Sequence, residues 1–399
     1  MIKWGVGLLV GLSLAGLLAR CNLSGAAGQN SQPPLPLPPT GPVLRLALLS
    51  PTTGELATFG RALRSGSILA FDEWNNQGGV LARRIEWTIY EADCDFEAAQ
   101  QAVQQALDDG LDFLIGPLCS EAAIAAAAAV ETKGALLIAP TATHPLVTVD
   151  GQGRTRPTVF RVSTVFQAQG EAAARFAIES LSIRRAALLI DPHDDYSATL
   201  GESFAAELAA QGGQIVYQGN FTPADTDFTP ALQAAGAAGA ELLYLPTPVS
   251  VVNRVAGQMS QLRQSGSLRL TLLGSDSWHS ADLDRTAAAG SYFTTHFFLD
   301  DQQPPTQQWA ETYKASYAVA PDTLAFLGYE AATVLLEAVQ QAGTLDVESV
   351  AKTLAQGHFE GVTGPLTFDP QHNPLRPVPV VQVKDGQLIF AGYINSSRK

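Results

Sequence analysis

The chain has 399 residues, 46% of them hydrophobic and only 16% charged, a composition that supports a large buried core and excludes general disorder. At roughly 100 to 200 residues per domain, this length predicts about two domains. Twenty-four basic against 38 acidic residues leave a net charge of −14 without any basic cluster, which argues against a nucleic-acid groove or an anionic membrane surface as partner.

In chain order, the first element is a short basic start at Lys3 followed by an apolar run from about Val6 to Leu18. That length suits an export signal and is too short for a comfortable membrane span. Next comes Leu18-Ala19-Arg20-Cys21, which resembles the lipobox of bacterial lipoproteins, with Cys21 as the lipidated residue, although Arg20 stands where that pattern has a small residue. A rival cut after Ala26 would release a soluble protein and discard Cys21, and both routes stay open. Residues 1–26 are thus read as an export signal. Residues 27–42, with six prolines between Pro33 and Pro42, are read as an extended linker that forms no core.

From Val43 short apolar runs alternate with amphipathic segments. Strands are expected at Val43–Leu49, Ile85–Glu91, Phe113–Gly116 and Leu136–Ala139, with helices at Arg61–Asn76, Phe96–Asp109 and Glu121–Lys133. The alternation restarts with strands at Ala186–Asp191, Gln214–Tyr217, Leu242–Leu245 and Thr271–Gly274. Helices at Ser197–Ala210, Phe228–Gly236 and Val251–Ser265 separate them. Such alternation means βαβ units and parallel sheets covered on both faces. The fold class is therefore α/β, with two Rossmann-like lobes. Three more helical stretches, near Thr306–Tyr317, Leu324–Gln341 and Val347–Gln356, precede short strands at Pro365–Phe368, Val378–Val383 and Leu388–Ala391. They imply that the chain returns to the first lobe and crosses between lobes more than once. The expected division is 43–163 plus 293–372 for lobe 1, and 164–292 plus 373–399 for lobe 2.

Parallel sheets bind ligands beyond the carboxyl ends of their strands. Gly116-Pro117-Leu118-Cys119-Ser120 follows one strand and opens a helix, so Ser120 is either a plain N-cap or part of a carboxylate site made with the free N–H groups of that turn. After the next strand, Pro140-Thr141-Ala142-Thr143-His144-Pro145 offers the Thr143 hydroxyl and amide to the same carboxylate. The Thr141 carbonyl there can accept from an ammonium. Cys94 and Cys119 are expected to form a disulfide in an exported protein, closing a loop of about 25 residues with a stabilisation of about 3 kcal/mol in the chain-entropy model.

An ordered set of segments resembles the leucine/isoleucine/valine-type periplasmic binding proteins, the solute receptors of branched-chain amino-acid ABC importers. The segments are Leu49–Gly60, Trp74-Asn75-Asn76-Gln77-Gly78-Gly79-Val80, Asp93-Cys94-Asp95, Ile115–Ser120, Pro140–Thr143 and Gly361–Asp369. The resemblance runs from about Val43 to Tyr393. It implies a type I binding-protein fold, capture of a small amino acid between the lobes, an exported location and permease subunits as partners. It implies neither cofactor nor enzymatic activity. Carried over, it puts Ser120 and Thr143 on the ligand carboxylate and the Thr141 backbone on the ammonium. Phe59 then lines the side-chain pocket, Tyr196 closes over the ligand, and Asp276 is the acidic partner of the ammonium. Relatives in the family also take amides, urea and aromatic acids.

Two positions depart from the family pattern. Thr247, in Tyr244-Leu245-Pro246-Thr247-Pro248, stands where close amino-acid receptors carry an aromatic ring, and His372 stands where glycine is common. Trp278 either refills the space at Thr247 or packs between helices. No G-x-S-x-G, G-x-x-x-x-G-K or G-x-G-x-x-G occurs. The histidines at 144, 193, 279, 296, 358 and 372 have no H-x-x-x-H spacing and no accompanying C-x-x-C, so no metal site is expected. A soluble sensor subunit remains the alternative to an importer component.

Overall fold

In the computed structural model, residues 41–395 are described. The export signal, Cys21 and nearly all of the proline-rich linker lie outside the described residues. The first sheet is fully parallel, in the order β2-β1-β3-β4-β5. Its strands are β1 (Val43–Ser50), β2 (Arg84–Glu91), β3 (Phe113–Ile115), β4 (Leu136–Ala139) and β5 (Val159–Arg161). Helices α1 (Ala57–Asn76), α2 (Phe96–Asp108) and α3 (Ser120–Lys133) connect the first four strands. The period-two alternation of β1 serves both faces. Leu44, Leu46 and Leu48 enter one core cluster, while Ala47 and Leu49 enter another with the alanines of α2 and α3.

The second sheet has seven strands in the order β15-β14-β10-β9-β8-β6-β7. Chain order here is α4 (Phe166–Glu179), β6 (Arg185–Ile190), α5 (Asp195–Ala210), β7 (Gln214–Asn220), α6 (Thr229–Ala237), β8 (Leu242–Tyr244), α7 (Val249–Gln264), β9 (Thr271–Gly274) and β10 (Tyr292–Thr294). The chain then returns to the first sheet's flank as α8 (Pro304–Tyr317), α9 (Thr323–Ala342) and α10 (Val347–Gln356), where α9 packs along α1. Three short strands, β11 (Phe359–Gly361), β12 (Gly364–Phe368) and β13 (Pro374–Leu375), form a small antiparallel sheet. Finally β14 (Val378–Lys384) and β15 (Gln387–Ile394) rejoin the second sheet as a hairpin turned by Asp385 and Gly386, both at positive φ as a type I′ turn requires.

Three passages therefore link the sheets, at 162–165, 295–303 and 376–377. β10 pairs with β9 and β14, so it belongs to the second sheet, and the division drawn at residue 293 moves past Thr294. Likewise β13 pairs with β12, which keeps residues 374–375 with the small sheet rather than with the second lobe.

β5, α4, β10, β11 and β13 have no counterpart among the elements expected from the sequence. β5 has three residues, one of them arginine, which leaves no periodicity to detect. α4 buries Phe166, Gln169, Gly170, Ala172, Ala173, Ala174, Arg175, Phe176 and Ala177.

Candidate functional site

The loop between β3 and α3 approaches β1 very closely. A Cβ on Gly116 would lie 2.1 Å from the Leu49 carbonyl oxygen, and its φ of +122° suits glycine alone. The Gly116–Pro117 peptide is cis. Cys119, in extended conformation, occupies the N-cap position without a side-chain hydrogen bond, and Ser120 is the first helical residue. Ser120 is thus not the cap: its Oγ instead accepts the His144 N–H at 3.4 Å. The free N–H groups of the first turn of α3 remain beside it.

Cys94 and Cys119 form the expected disulfide, with Cα atoms 5.2 Å apart. Intact-mass analysis of exported protein should show both cysteines alkylated only after reduction. Alkylation of both without reductant would refute the bond.

The loop after β4 is held from beneath. Arg161, wholly buried on β5, donates to the carbonyls of Ala142 at 3.0 Å and Pro145 at 3.1 Å and to Thr148 Oγ1 at 3.1 Å. Burial pushes its guanidinium down to about 9, against the opposing charge of Asp369. Ser163 Oγ adds a bond to the Ala142 carbonyl at 2.8 Å, and Thr141 Oγ1 donates to the Leu118 carbonyl. Thr143 is carried between these anchors, and its own carbonyl accepts from Phe166 N–H at 3.4 Å. A single 3₁₀ turn, Pro145–Val147, begins two residues after Thr143 and is capped by His144 through its Nδ1.

In the second lobe the ends of β6, β8 and β9 bring together Tyr196, Thr247 and Asp276. The Tyr196 hydroxyl lies 2.5 Å from Asp276 Oδ1 and 2.8 Å from Ser275 Oγ. Burial, reinforced by the Asp276 charge, pushes that phenol well above its ordinary value, so it stays a donor. Asp276 Oδ2 lies 3.0 Å from His296 Nε2. His296 Nδ1 accepts the Thr164 N–H at 3.3 Å, which fixes the imidazole proton on Nε2, facing Asp276. Burial pushes the Asp276 carboxyl up, but the hydrogen bonds from His296 and the Tyr196 hydroxyl outweigh it and hold the group below the ordinary carboxylate range. No lysine or arginine pairs with Asp276 among the described residues, although its side chain is 20% exposed.

Thr247 is 1% exposed and its carbonyl accepts from Ser277 Oγ at 2.8 Å, so it supports the Asp276 turn from behind. Trp278 is wholly buried with Nε1 donating to the Leu245 carbonyl at 3.2 Å, which makes it core packing and not a pocket wall.

The two halves meet across the cleft. Phe166 packs edge-on against both His144 and Tyr196, and His144 Nε2 lies 4.0 Å from Asp195 Oδ2. A cavity of about 320 Å³ is lined by Phe59, His279, Phe297, Phe298, Leu299 and the 321–324 turn. Phe59 stands at its mouth, 50% exposed. A larger cavity of about 1460 Å³ opens elsewhere, between Pro145, the start of α4 and the third passage, and none of the predicted ligand residues lines it. Among the described residues no cluster of histidine, cysteine and carboxylate side chains suited to a metal occurs. His279 and His296 escaped the sequence reading because isolated histidines carry no spacing signal. Only the strand-end position of His279, three residues after Asp276, pointed towards the cleft.

Residues 43–387 match the model of a family described as periplasmic binding protein. The chain is 26% identical over 332 residues to the leucine-, isoleucine-, valine-, threonine- and alanine-binding protein of Pseudomonas aeruginosa, covering 82% of this chain and 86% of that one. It is 23% identical to the Leu/Ile/Val-binding protein of Escherichia coli K12 at 82% and 86% coverage. Among solved structures, a leucine binding protein from Thermotoga maritima superposes with a TM-score of 0.71 at 29% identity, over 88% of this chain and 99% of that one. A benzoate-bound solute binding protein from R. palustris, at 20% identity and a TM-score of 0.69 over 90% and 98% of the chains, shares the fold.

Proposed function

Because this chain belongs to the periplasmic binding protein family, and is therefore a binding protein and not an enzyme, we propose that it captures a small α-amino acid between its lobes and delivers it to an ABC importer. The observation that carries the reading is the Asp276 carboxylate. It is ionised in a cleft with Tyr196 and His296 as hydrogen-bond donors and, among the described residues, no lysine or arginine as partner. A ligand ammonium supplies the missing positive charge, since an unpaired charge becomes costly once the cleft closes. Opposite it, Ser120, Thr143 and the open first turn of α3 receive the α-carboxylate, and the Thr141 carbonyl takes a second ammonium proton. Phe59 lines the side-chain pocket, Tyr196 closes over the ligand, and Thr247 supports the turn that carries Asp276. The relatives named for leucine, isoleucine, valine, threonine and alanine bear on the ligand class.

In this reading the protein is exported and held at the membrane through a lipidated Cys21. Lobe 1 comprises the first sheet with α8 to α10, lobe 2 the second sheet with α4 to α7, and closure is a hinge motion about the three passages.

A thermal-shift screen of the purified protein against the twenty amino acids, urea, short amides and aromatic acids tests the proposal, because a ligand that binds only the native state raises the melting temperature. A shift with an α-amino acid supports it. Shifts only with ligands lacking an ammonium would overturn the role given to Asp276.

A further inference from the structure

His279 sits three residues beyond Asp276 and lines the 320 Å³ cavity where a ligand side chain would lie. Phe59, Phe297, Phe298, Leu299, Pro321 and Leu324 contribute rings and aliphatic surface to that cavity, and Thr323 and Asp322 also line it, the Asp322 Oδ1 accepting the Ala325 N–H as the cap of α9. The imidazole, flanked by Phe293 and Phe298 with ring centroids 5.9 and 6.0 Å away, is its polar element nearest to Asp276 in sequence.

The hydrogen-bond pattern around this ring decides what it offers. Its Nδ1 lies 2.9 Å from Thr295 Oγ1 and 3.3 Å from Thr323 Oγ1. The single hydroxyl proton of Thr295 points to the Phe297 carbonyl at 3.3 Å, so the Thr295 oxygen is left as an acceptor. With that hydroxyl proton on the Phe297 carbonyl, the imidazole proton is on Nδ1. Burial, with the neighbouring His296, pushes His279 down to about 4, so the ring is neutral at ordinary pH. What remains is the Nε2 lone pair. It has no hydrogen-bond partner among the described residues, and it is not one of the interior polar atoms sealed from solvent.

We propose that His279 determines specificity by presenting Nε2 as an acceptor in the side-chain pocket, so that the favoured ligand is a neutral α-amino acid with an apolar body ending in a hydrogen-bond donor. A hydroxyl, a carboxamide NH₂ or an indole N–H meets that description. This inference rests on the amino-acid reading above and narrows it. The physical reason is asymmetric: a donor replaces the water that Nε2 loses on closure, whereas a methyl group strands the lone pair without a partner. Thr295 belongs to the second passage between the sheets and Thr323 begins α9, so the ring's orientation is fixed from both lobes.

The test compares near-isosteric ligands on the purified protein by titration calorimetry: threonine with valine, glutamine with methionine, tyrosine with phenylalanine. In whichever pair fits the cavity, the donor-bearing member should bind about tenfold or more tightly, and His279→Phe should bring that ratio to about one. For a variant that fails to fold, ¹⁵N-labelled histidine in the native protein gives an independent reading, because the unprotonated Nε2 resonance should move upfield with the donor-bearing ligand and not with its aliphatic partner. Equal or tighter binding of the aliphatic members, or a ratio untouched by His279→Phe, overturns the inference while leaving the receptor reading in place. Binding of no amino acid at all would instead overturn the receptor reading, and this inference with it.

Discussion

Asp276→Ala is expected to weaken binding of an α-amino acid by about 2 to 5 kcal/mol, roughly 30-fold or more, measured by titration calorimetry against the wild-type protein. The argument rests on charge. Among the described residues Asp276 receives hydrogen bonds from the Tyr196 hydroxyl and from His296 Nε2, and no lysine or arginine offsets it. Ligand ammonium is then the cation the carboxylate lacks, and the alanine variant must bury that ammonium with the Thr141 carbonyl, a phenol and an imidazole but no counter-charge. Asp276→Asn keeps shape and separates charge from packing: it should lose nearly as much. Unchanged affinity in the asparagine variant would show that the ammonium is held elsewhere.

The second large effect is on stability. Glu330→Ala should destabilise the fold by about 3 to 5 kcal/mol, read as a shift in the urea midpoint. Glu330 and Arg376 are paired at 2.6 Å with side chains 1% and 4% exposed, and the other Glu330 oxygen accepts the Val362 N–H at 2.6 Å. Arg376 also lies over the Phe326 ring at 5.2 Å, while its Nε and Nη1 have no partner among the described residues. Removing the carboxylate therefore strands a buried cation and a backbone N–H together. The double substitution Glu330→Leu with Arg376→Met removes both charges and should be markedly less damaging than Glu330→Ala. A single variant within about 1 kcal/mol of wild type would mean that the pair is solvated in solution. Because Arg376 lies in the third passage between the sheets, a local failure there would also loosen the hinge.

Much of the architecture was legible because its strands are short and apolar on both faces. Leu136–Ala139 and Thr271–Gly274 were delimited to the residue, since buried parallel strands bounded by turns leave little freedom. α4 was missed although its apolar patterning is as strong as that of α1, which was expected. Strand-end logic led to Ser120, Thr141 and Thr143, but it gave Ser120 a capping role that Cys119 occupies. The histidines show the limit most clearly. The roles of His279 and His296 depend on Thr295, Thr323 and Thr164, partners far away in the chain, and no spacing in the sequence announces such contacts.

The bracing of the Ala142 carbonyl by Arg161 and Ser163 separates two tasks that one pocket usually shares. On the proposed reading, the wall that grips what all α-amino acids have in common is anchored in the first lobe's own sheet, independently of Phe59 and His279. Substitutions at those positions can therefore shift the choice of side chain without disturbing the grip on the carboxylate. Such a scaffold diversifies readily: a new nutrient range requires remodelling one wall of the cleft, and duplicated copies can drift apart in diet while retaining a common means of holding their cargo.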